Sequence, residues 1–181
     1  MESGKRTIFY PTPRCATDAL LERETFLQHV WEPACGDGAI SKVLKEKGYT
    51  VFSSDLVDRG YEHGMIGSID FLSETDQYVP ATLDPFDIIT NPPFKFAQEF
   101  IEKALSYERC NRVAIFAKLG FLESNRRKIL FESTPLSKVY VFSWRVPMWR
   151  NGIVQKGGKG IPFTWLIWDK KHVGSPTLHW V

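Results

Sequence analysis

What most constrains the fold of this chain is an alternation. The runs "YTVFSSD", "PFDIIT", "NRVAIFA", "SKVYVFS" and "FTWLIWD" are rich in β-branched and aromatic residues, follow a first apolar approach ending at Trp31, and read as strands. Between them lie segments with helical spacing. Residues 15–30 carry Ala19, Leu20, Phe26, Leu27 and Val30, which predicts a leading helix with Thr17 or Asp18 as cap. Residues 39–48 place Ile40, Val43 and Leu44 on one face with Gly48 as a stop; Phe94–Tyr107 and "LESNRRKILFE" supply two more helices. Parallel strands need crossovers that lay helices on the sheet, so the expectation is an α/β chain with a mostly parallel sheet and helices on both faces. The last two strands flank residues 144–162, glycine-rich and too short for an ordinary crossover helix, and read as an antiparallel hairpin with a long loop.

At 181 residues and 43% hydrophobic, the chain has material for one sizeable core, and residues 1–181 are expected to form one domain. No segment approaches the ~18 uncharged apolar residues of a membrane span, and the start lacks an apolar leader, which predicts a soluble cytoplasmic chain with no membrane partner. Three cysteines without CxxC spacing, and four histidines without ligand spacing, point to neither a disulfide framework nor a metal site. The net charge of +2 hides a division. Residues 1–110 hold 11 Lys and Arg against 18 Asp and Glu, and residues 111–181 hold 12 against 3. A basic C-terminal third suits a polyanion held through its phosphates, or equally a solvated face.

The stretch "VWEPACGDGAI" joins a strand to a helix through a turn with two glycines. In an open α/β sheet such a turn lies at the carboxyl ends of the strands, where Gly36 and Gly38 let a ligand approach the backbone. Glu32 and Asp37 would repel a pyrophosphate, and Gly-Lys-Ser/Thr is missing, so a P-loop is excluded. Asp55 ends the next strand nineteen residues after Gly36, near the ~20-residue offset at which a carboxylate takes ribose hydroxyls. A cationic or neutral nucleoside without phosphates meets these demands, and S-adenosyl-L-methionine is one.

"EPACGDG", Glu32 to Gly38, resembles the first cofactor motif of class I S-adenosylmethionine-dependent methyltransferases, and "NPPF", Asn91 to Phe94, resembles the catalytic motif of those that methylate exocyclic or amide nitrogen, above all the N6-adenine DNA methyltransferases. "YPTPRCATDALL" resembles the segment that precedes the first motif and helps hold the methionine end of the cofactor. The motif order and "FLESNRRKILF" resemble small phage- and prophage-encoded members. The resemblance implies a Rossmann-like fold with a seven-stranded sheet, S-adenosylmethionine as cofactor and DNA as partner. It implies cofactor contacts from Tyr10, Thr12, Glu32, Pro33, Ala34, Cys35, Gly36, Asp37, Gly38, Asp55 and Asn91, with Phe9 beside them and residues 1–30 as a cover. Asp70 and Phe71 in "GSIDFL" are expected at the cofactor adenine. Asp37 alternatively caps the helix, Asp55 is alternatively an ordinary polar strand end, Asp70 a polar loop residue, and Tyr10 core.

NPPF has a direct chemical reading. The lone pair of an exocyclic purine amine is delocalised into the ring, which makes it a poor nucleophile. Acceptors at the Asn91 side-chain oxygen and the Pro92 carbonyl would take its hydrogens and aim the lone pair at a methyl carbon. Pro92 and Pro93 stiffen the loop, and Phe94 offers a face on which a base can stack. Asn-Pro-Pro is also an ordinary strand ending. In the loop 144–162, Arg145, Arg150, Lys156 and Lys159 with Trp144 and Trp149 form a candidate surface for a nucleic-acid backbone, joined by Arg126 and Arg127; a solvated loop is the alternative. Trp165 and Trp168 are read as core. RNA or a protein amide are the alternative acceptors, and a non-catalytic binding relic the alternative class.

Overall fold

The structure, a computed structural model, describes residues 9–61, 65–73, 85–148 and 160–181. The helices are α1 (Arg14–Leu21), α2 (Ala39–Glu46), α3 (Ala97–Ser106) and α4 (Asn125–Ser133). The strands are β1 (His29–Glu32), β2 (Thr50–Asp55), β3 (Met65–Ser68), β4 (Phe86–Thr90), β5 (Cys110–Lys118), β6 (Leu136–Val141), β7 (Phe163–Asp169) and β8 (Thr177–Trp180). They form one sheet in the order β3-β2-β1-β4-β5-β7-β6-β8. Pairing is parallel except that β7 runs against both β5 and β6, as the expected terminal hairpin requires. β1 pairs with β2 on one side and β4 on the other, with Trp31 opposite Phe52 and Ile88. Strand order therefore reverses between β1 and β4, which opens a crevice at their carboxyl ends.

Helices cover both faces. Ile40 and Leu44 of α2 and Ala16, Ala19 and Leu20 of α1 pack with Val30, Ile89, Ala114, Phe116 and Trp165. On the other face Ala97, Phe100, Ile101 and Ala104 of α3 and Leu130 of α4 pack with Trp31, Ile88, Val113 and Trp168. Trp165 and Trp168 are fully buried, as expected, and their indole N–H groups donate to the Ala16 carbonyl at 2.8 Å and to Thr134 Oγ1 at 2.9 Å.

Three expectations need correction. The leading helix stops at Leu21 rather than continuing to Val30, and its N-cap is Pro13, while Thr17 and Asp18 lie inside it. Long-range bonds outweigh the local periodicity: the Leu27 N–H donates to Asp87 at 2.7 Å, Phe26 enters the core, and Val30 is claimed by the sheet. Among the described residues the sheet carries one strand beyond the seven expected, because β8 adds a parallel edge to β6. The helix expected from Phe94 begins only at Ala97: Phe94–Phe96 form a 3₁₀ turn, and Phe96, which shares the helical spacing of Phe100 and Ile101, is 41% exposed.

The connection that replaces the second half of the predicted helix carries a buried acid. Glu24 accepts from Arg112 at 2.5 Å, from Lys138 at 2.7 Å and from the Tyr140 hydroxyl. Burial pushes its carboxyl up, but the three hydrogen bonds and the Arg112 charge outweigh that and hold it below the usual carboxylate range. Glu24→Ala should cost about 3 kcal/mol in urea unfolding, because it takes the shared partner from half-buried Lys138 and the Tyr140 hydroxyl and leaves Arg112 to its longer contact with Asp169 at 3.3 Å. The lowered value also fixes the pH dependence: the contribution is complete above the unfolded carboxylate value of about 4.3 and is lost as pH falls through the folded one. The stability gap between wild type and Glu24→Gln should therefore shrink on acidification.

Candidate functional site

Between β1 and α2 the chain turns through Pro33–Gly38. Gly36 and Gly38 have φ of +57° and +80°, the left-handed region in which a side chain is strained. At Gly38 space is short as well: a Cβ there would lie 2.4 Å from the Tyr61 ring, whereas one on Gly36 would lie a merely tight 3.3 Å from Phe9. Gly38 is the N-cap of α2 and has no side chain to offer its orphan N–H groups. Glu32 supplies the acceptor from the end of β1: Oε2 takes the Ser41 N–H at 2.8 Å and the Ser41 hydroxyl, which also meets Ser53 Oγ at 2.6 Å. Burial pushes the Glu32 carboxyl well up, while the Ser41 hydrogen bonds pull it back. Glu32 is thus a brace of the turn as well as part of the wall it faces.

That wall encloses a cavity of about 530 Å³ at the carboxyl ends of β1, β2 and β4. It is lined by residues 32–37 of the turn, Asp55, Asp70, Phe71, Asn91–Phe94, and Tyr10 and Thr12 from the N-terminal segment. The structure thus brings together every expected cofactor residue except Gly38, which shapes the turn from outside the lining. Asp55 is held by two main-chain donors, Gly36 N–H to Oδ2 and Val57 N–H to Oδ1, both at 2.9 Å. Asp70 accepts from the Leu72 N–H at 3.0 Å. Asp37 does not cap α2, and its Oδ1 is buried without a hydrogen-bond partner among the described residues. Phe71 is buried and also belongs to the core, with its ring centroid 5.1 Å from that of Trp31 and 4.8 Å from that of Phe100. Burial, followed by the charges of Glu32 and Asp55, pushes the Cys35 thiol far up, so it stays neutral and is no nucleophile.

Sequence reasoning missed Leu56, Val57, Lys95 and Phe96, which also line the cavity. Leu56 and Val57 are 60% and 39% exposed, and an apolar pair directly after the acidic strand end was the available signal.

Asn91 follows β4 and is tied to the N-terminal segment. Its Nδ2 donates to the Tyr10 carbonyl and to Thr12 Oγ1, each at 2.9 Å. Both amide hydrogens are thereby used, and Oδ1 is left as the acceptor. Pro92 is buried and Pro93 exposed, and Phe94 begins the 3₁₀ turn. The Phe94 ring stacks on Tyr10 at 5.6 Å and lies beneath Lys118 Nζ at 4.3 Å.

The basic residues divide. Arg126 pairs with Glu99 at 3.3 Å on the surface, and Arg127 donates to the carbonyls of Gly120 and Phe121 at 3.3 and 3.4 Å with its guanidinium over the Phe121 ring. Arg145 is exposed, while Trp149, Arg150, Lys156 and Lys159 lie outside the described residues. Among the described residues no group of His, Cys, Asp and Glu could hold a metal ion, and no helix is long and apolar enough to cross a membrane.

No protein-family profile matches the sequence, and no curated protein does. Solved structures do match. A "modification subunit of a putative type I restriction enzyme" from Vibrio vulnificus aligns over 99% of this chain with TM-score 0.63 and 17% identity; the chain spans about half of that subunit, 48%. A dimethyladenosine transferase from Plasmodium falciparum aligns over 90% of this chain and 64% of its own, with TM-score 0.57 and 14% identity. Magnesium protoporphyrin IX methyltransferase from Synechocystis, solved with bound S-adenosylmethionine, aligns over 87% and 79%, with TM-score 0.55 and 13% identity. Likeness at this level is one of fold: the chain has the Rossmann-like fold of these methyltransferases.

The turn geometry gives a direct expectation. Gly38→Ala should lower stability by about 1–3 kcal/mol from backbone strain alone, with the Tyr61 clash added, read as a drop in thermal midpoint. An unchanged midpoint would mean that the turn does not need a left-handed residue there.

Proposed function

We propose that this chain is an S-adenosylmethionine-dependent methyltransferase that acts on the exocyclic N6 amine of adenine in DNA. The observation that carries the reading is the anchored amide of Asn91, whose Oδ1 is left as an acceptor at the edge of a cavity with acidic walls.

The residues present suit the cofactor. A buried, unpartnered Asp37 oxygen beside Asp55 favours a ligand that brings positive charge and hydrogen-bond donors. Asp55, oriented by Gly36 and Val57, would take ribose hydroxyls; Asp37 would face the amino group or sulfonium; Asp70 and Phe71 would flank the adenine. When bound, S-adenosylmethionine supplies an electrophilic methyl carbon on a sulfonium.

The chain's own part in the reaction is alignment. Asn91 Oδ1 and the Pro92 carbonyl accept the two hydrogens of the amine, favour a pyramidal nitrogen and direct its lone pair. Their hydrogen bonds strengthen as positive charge develops on that nitrogen. The surplus proton passes to water afterwards, so no side chain with a tuned pKa is needed. Support for nucleic acid comes from the basic C-terminal third and from the restriction-enzyme and dimethyladenosine neighbours. An adenine in RNA is the second reading, favoured by the dimethyladenosine neighbour.

Two measurements test this. Asn91→Ala should reduce turnover ~10²–10³-fold at saturating cofactor, with products read as N6-methyladenine by mass spectrometry of digested DNA and RNA pools. A variant at the parental rate overturns the role of Asn91, and product in RNA alone overturns DNA as acceptor. Asp55→Ala, in protein with an unchanged circular dichroism spectrum, should weaken S-adenosylmethionine binding by ~1.5–3 kcal/mol in calorimetry. Unchanged affinity would remove Asp55 from the cofactor site.

A further inference from the structure

The ring of Phe94 has neighbours of two kinds. Tyr10 lies on it with centroids 5.6 Å apart and planes 27° from parallel, and both rings line the cavity. Lys118 Nζ, 4.3 Å from the centroid, and Phe163, at 6.0 Å, do not line the cavity and hold the ring from behind. The cavity side of Phe94 is where a target base would stack, and in the free protein Tyr10 is there.

A base laid between two parallel rings needs them roughly 7 Å apart, twice the ~3.5 Å contact distance of carbon atoms. At 5.6 Å the two rings leave no room for a third. We propose that Tyr10 and Phe94 are the two jaws of an aromatic clamp for the target adenine. Tyr10 covers the Phe94 face in the free protein, gives way to the entering base, and then closes on its other side. The proposal rests on the methyltransferase reading above, and it reassigns the Tyr10 ring from the cofactor to the nucleic acid.

The division of labour within Tyr10 makes this workable. Its carbonyl is fixed by Asn91 Nδ2 at 2.9 Å, so the main chain stays in place while the ring turns about its own side-chain bonds. The backbone that anchors Asn91 thus also sets where the second jaw stands. A base seated between the rings would present its amine to the same Oδ1 that the Tyr10 carbonyl helps to orient. Phe94 is held from behind by Lys118 and Phe163, so Tyr10 is the jaw that moves. Until a base arrives, the stack also keeps two apolar faces out of water.

The test compares wild type, Tyr10→Ala, Tyr10→Leu and Tyr10→Phe, measuring KM for single-stranded DNA of mixed sequence through N6-methyladenine formed, and S-adenosylmethionine affinity by calorimetry. All three substitutions keep the Tyr10 carbonyl. Tyr10→Ala and Tyr10→Leu should raise KM for DNA roughly 5- to 150-fold, the loss of a base–aromatic stack of ~1–3 kcal/mol, and leave cofactor affinity within about twofold. Tyr10→Phe, which keeps a flat ring, should restore most of the loss. A Tyr10→Leu protein with wild-type KM, or variants that lose cofactor affinity with KM unchanged, would overturn the clamp while leaving the methyltransferase reading intact. Wild-type protein that binds S-adenosylmethionine but forms N6-methyladenine in neither DNA nor RNA would overturn that reading, and the clamp with it.

Discussion

Everything at the candidate site depends on β1 lying between β2 and β4, from which the two halves of the sheet extend in opposite directions. Val30 and Trp31 are claimed by β2 on one side and by β4 on the other. The connections that leave these strands must diverge, because one half of the sheet is wound to the left of β1 and the other to its right. The crevice between them is a consequence of strand order. The glycine turn, Asp55 and Asn91 each follow a strand that ends there, which is why residues 32, 55 and 91 share one cavity. The order also explains the brace at Glu32: a helix whose N-cap is a glycine needs an acceptor from elsewhere, and the end of β1 is adjacent.

The carboxylates of the sheet sort by what they touch. Glu24 is satisfied by Arg112, Lys138 and Tyr140, and Asp87 takes the N–H groups of Leu27 and Arg112 at 2.7 and 2.8 Å. Burial pushes Asp87 up against those bonds. These acids sit away from the crevice and serve the fold. Asp37, Asp55 and Asp70 face the cavity; Asp55 and Asp70 are held by main-chain donors, and one buried oxygen of Asp37 has no partner among the described residues. An acid positioned by backbone keeps its charge available for a ligand, whereas one matched to cations does not.

The same accounting changes the meaning of the basic C-terminal third. Arg112 and Lys138 neutralise Glu24, Arg127 binds the turn before α4, Arg126 pairs with Glu99, and Lys170 donates to the Tyr107 carbonyl. Much of that charge is used inside the molecule, and a count of residues overstates what a phosphate backbone would meet. Lys118 is the basic residue of this third that the structure ties to the site, through the Phe94 ring.

By itself the sequence determined the alternation of strands and helices, the helix α2 with its Gly48 stop, the terminal hairpin and the two motifs that end β1 and β4. These are local: periodicity records which face of an element is buried, and glycine or proline marks where backbone geometry is special. Tertiary structure alone decided the rest. β8 is exposed along its whole length, so no alternation announces it. The leading helix ends at Leu21 because Glu24, Phe26 and Leu27 find partners 60 or more residues away, and no local pattern records them. Asn91 reaches Tyr10 and Thr12 across 81 and 79 residues, and Tyr10 meets Phe94 by the same path. The residues of the site could be named from the chain, but the fixed direction of one amide and the ring laid over its neighbour follow from how strand order folds the N-terminal segment back onto β4.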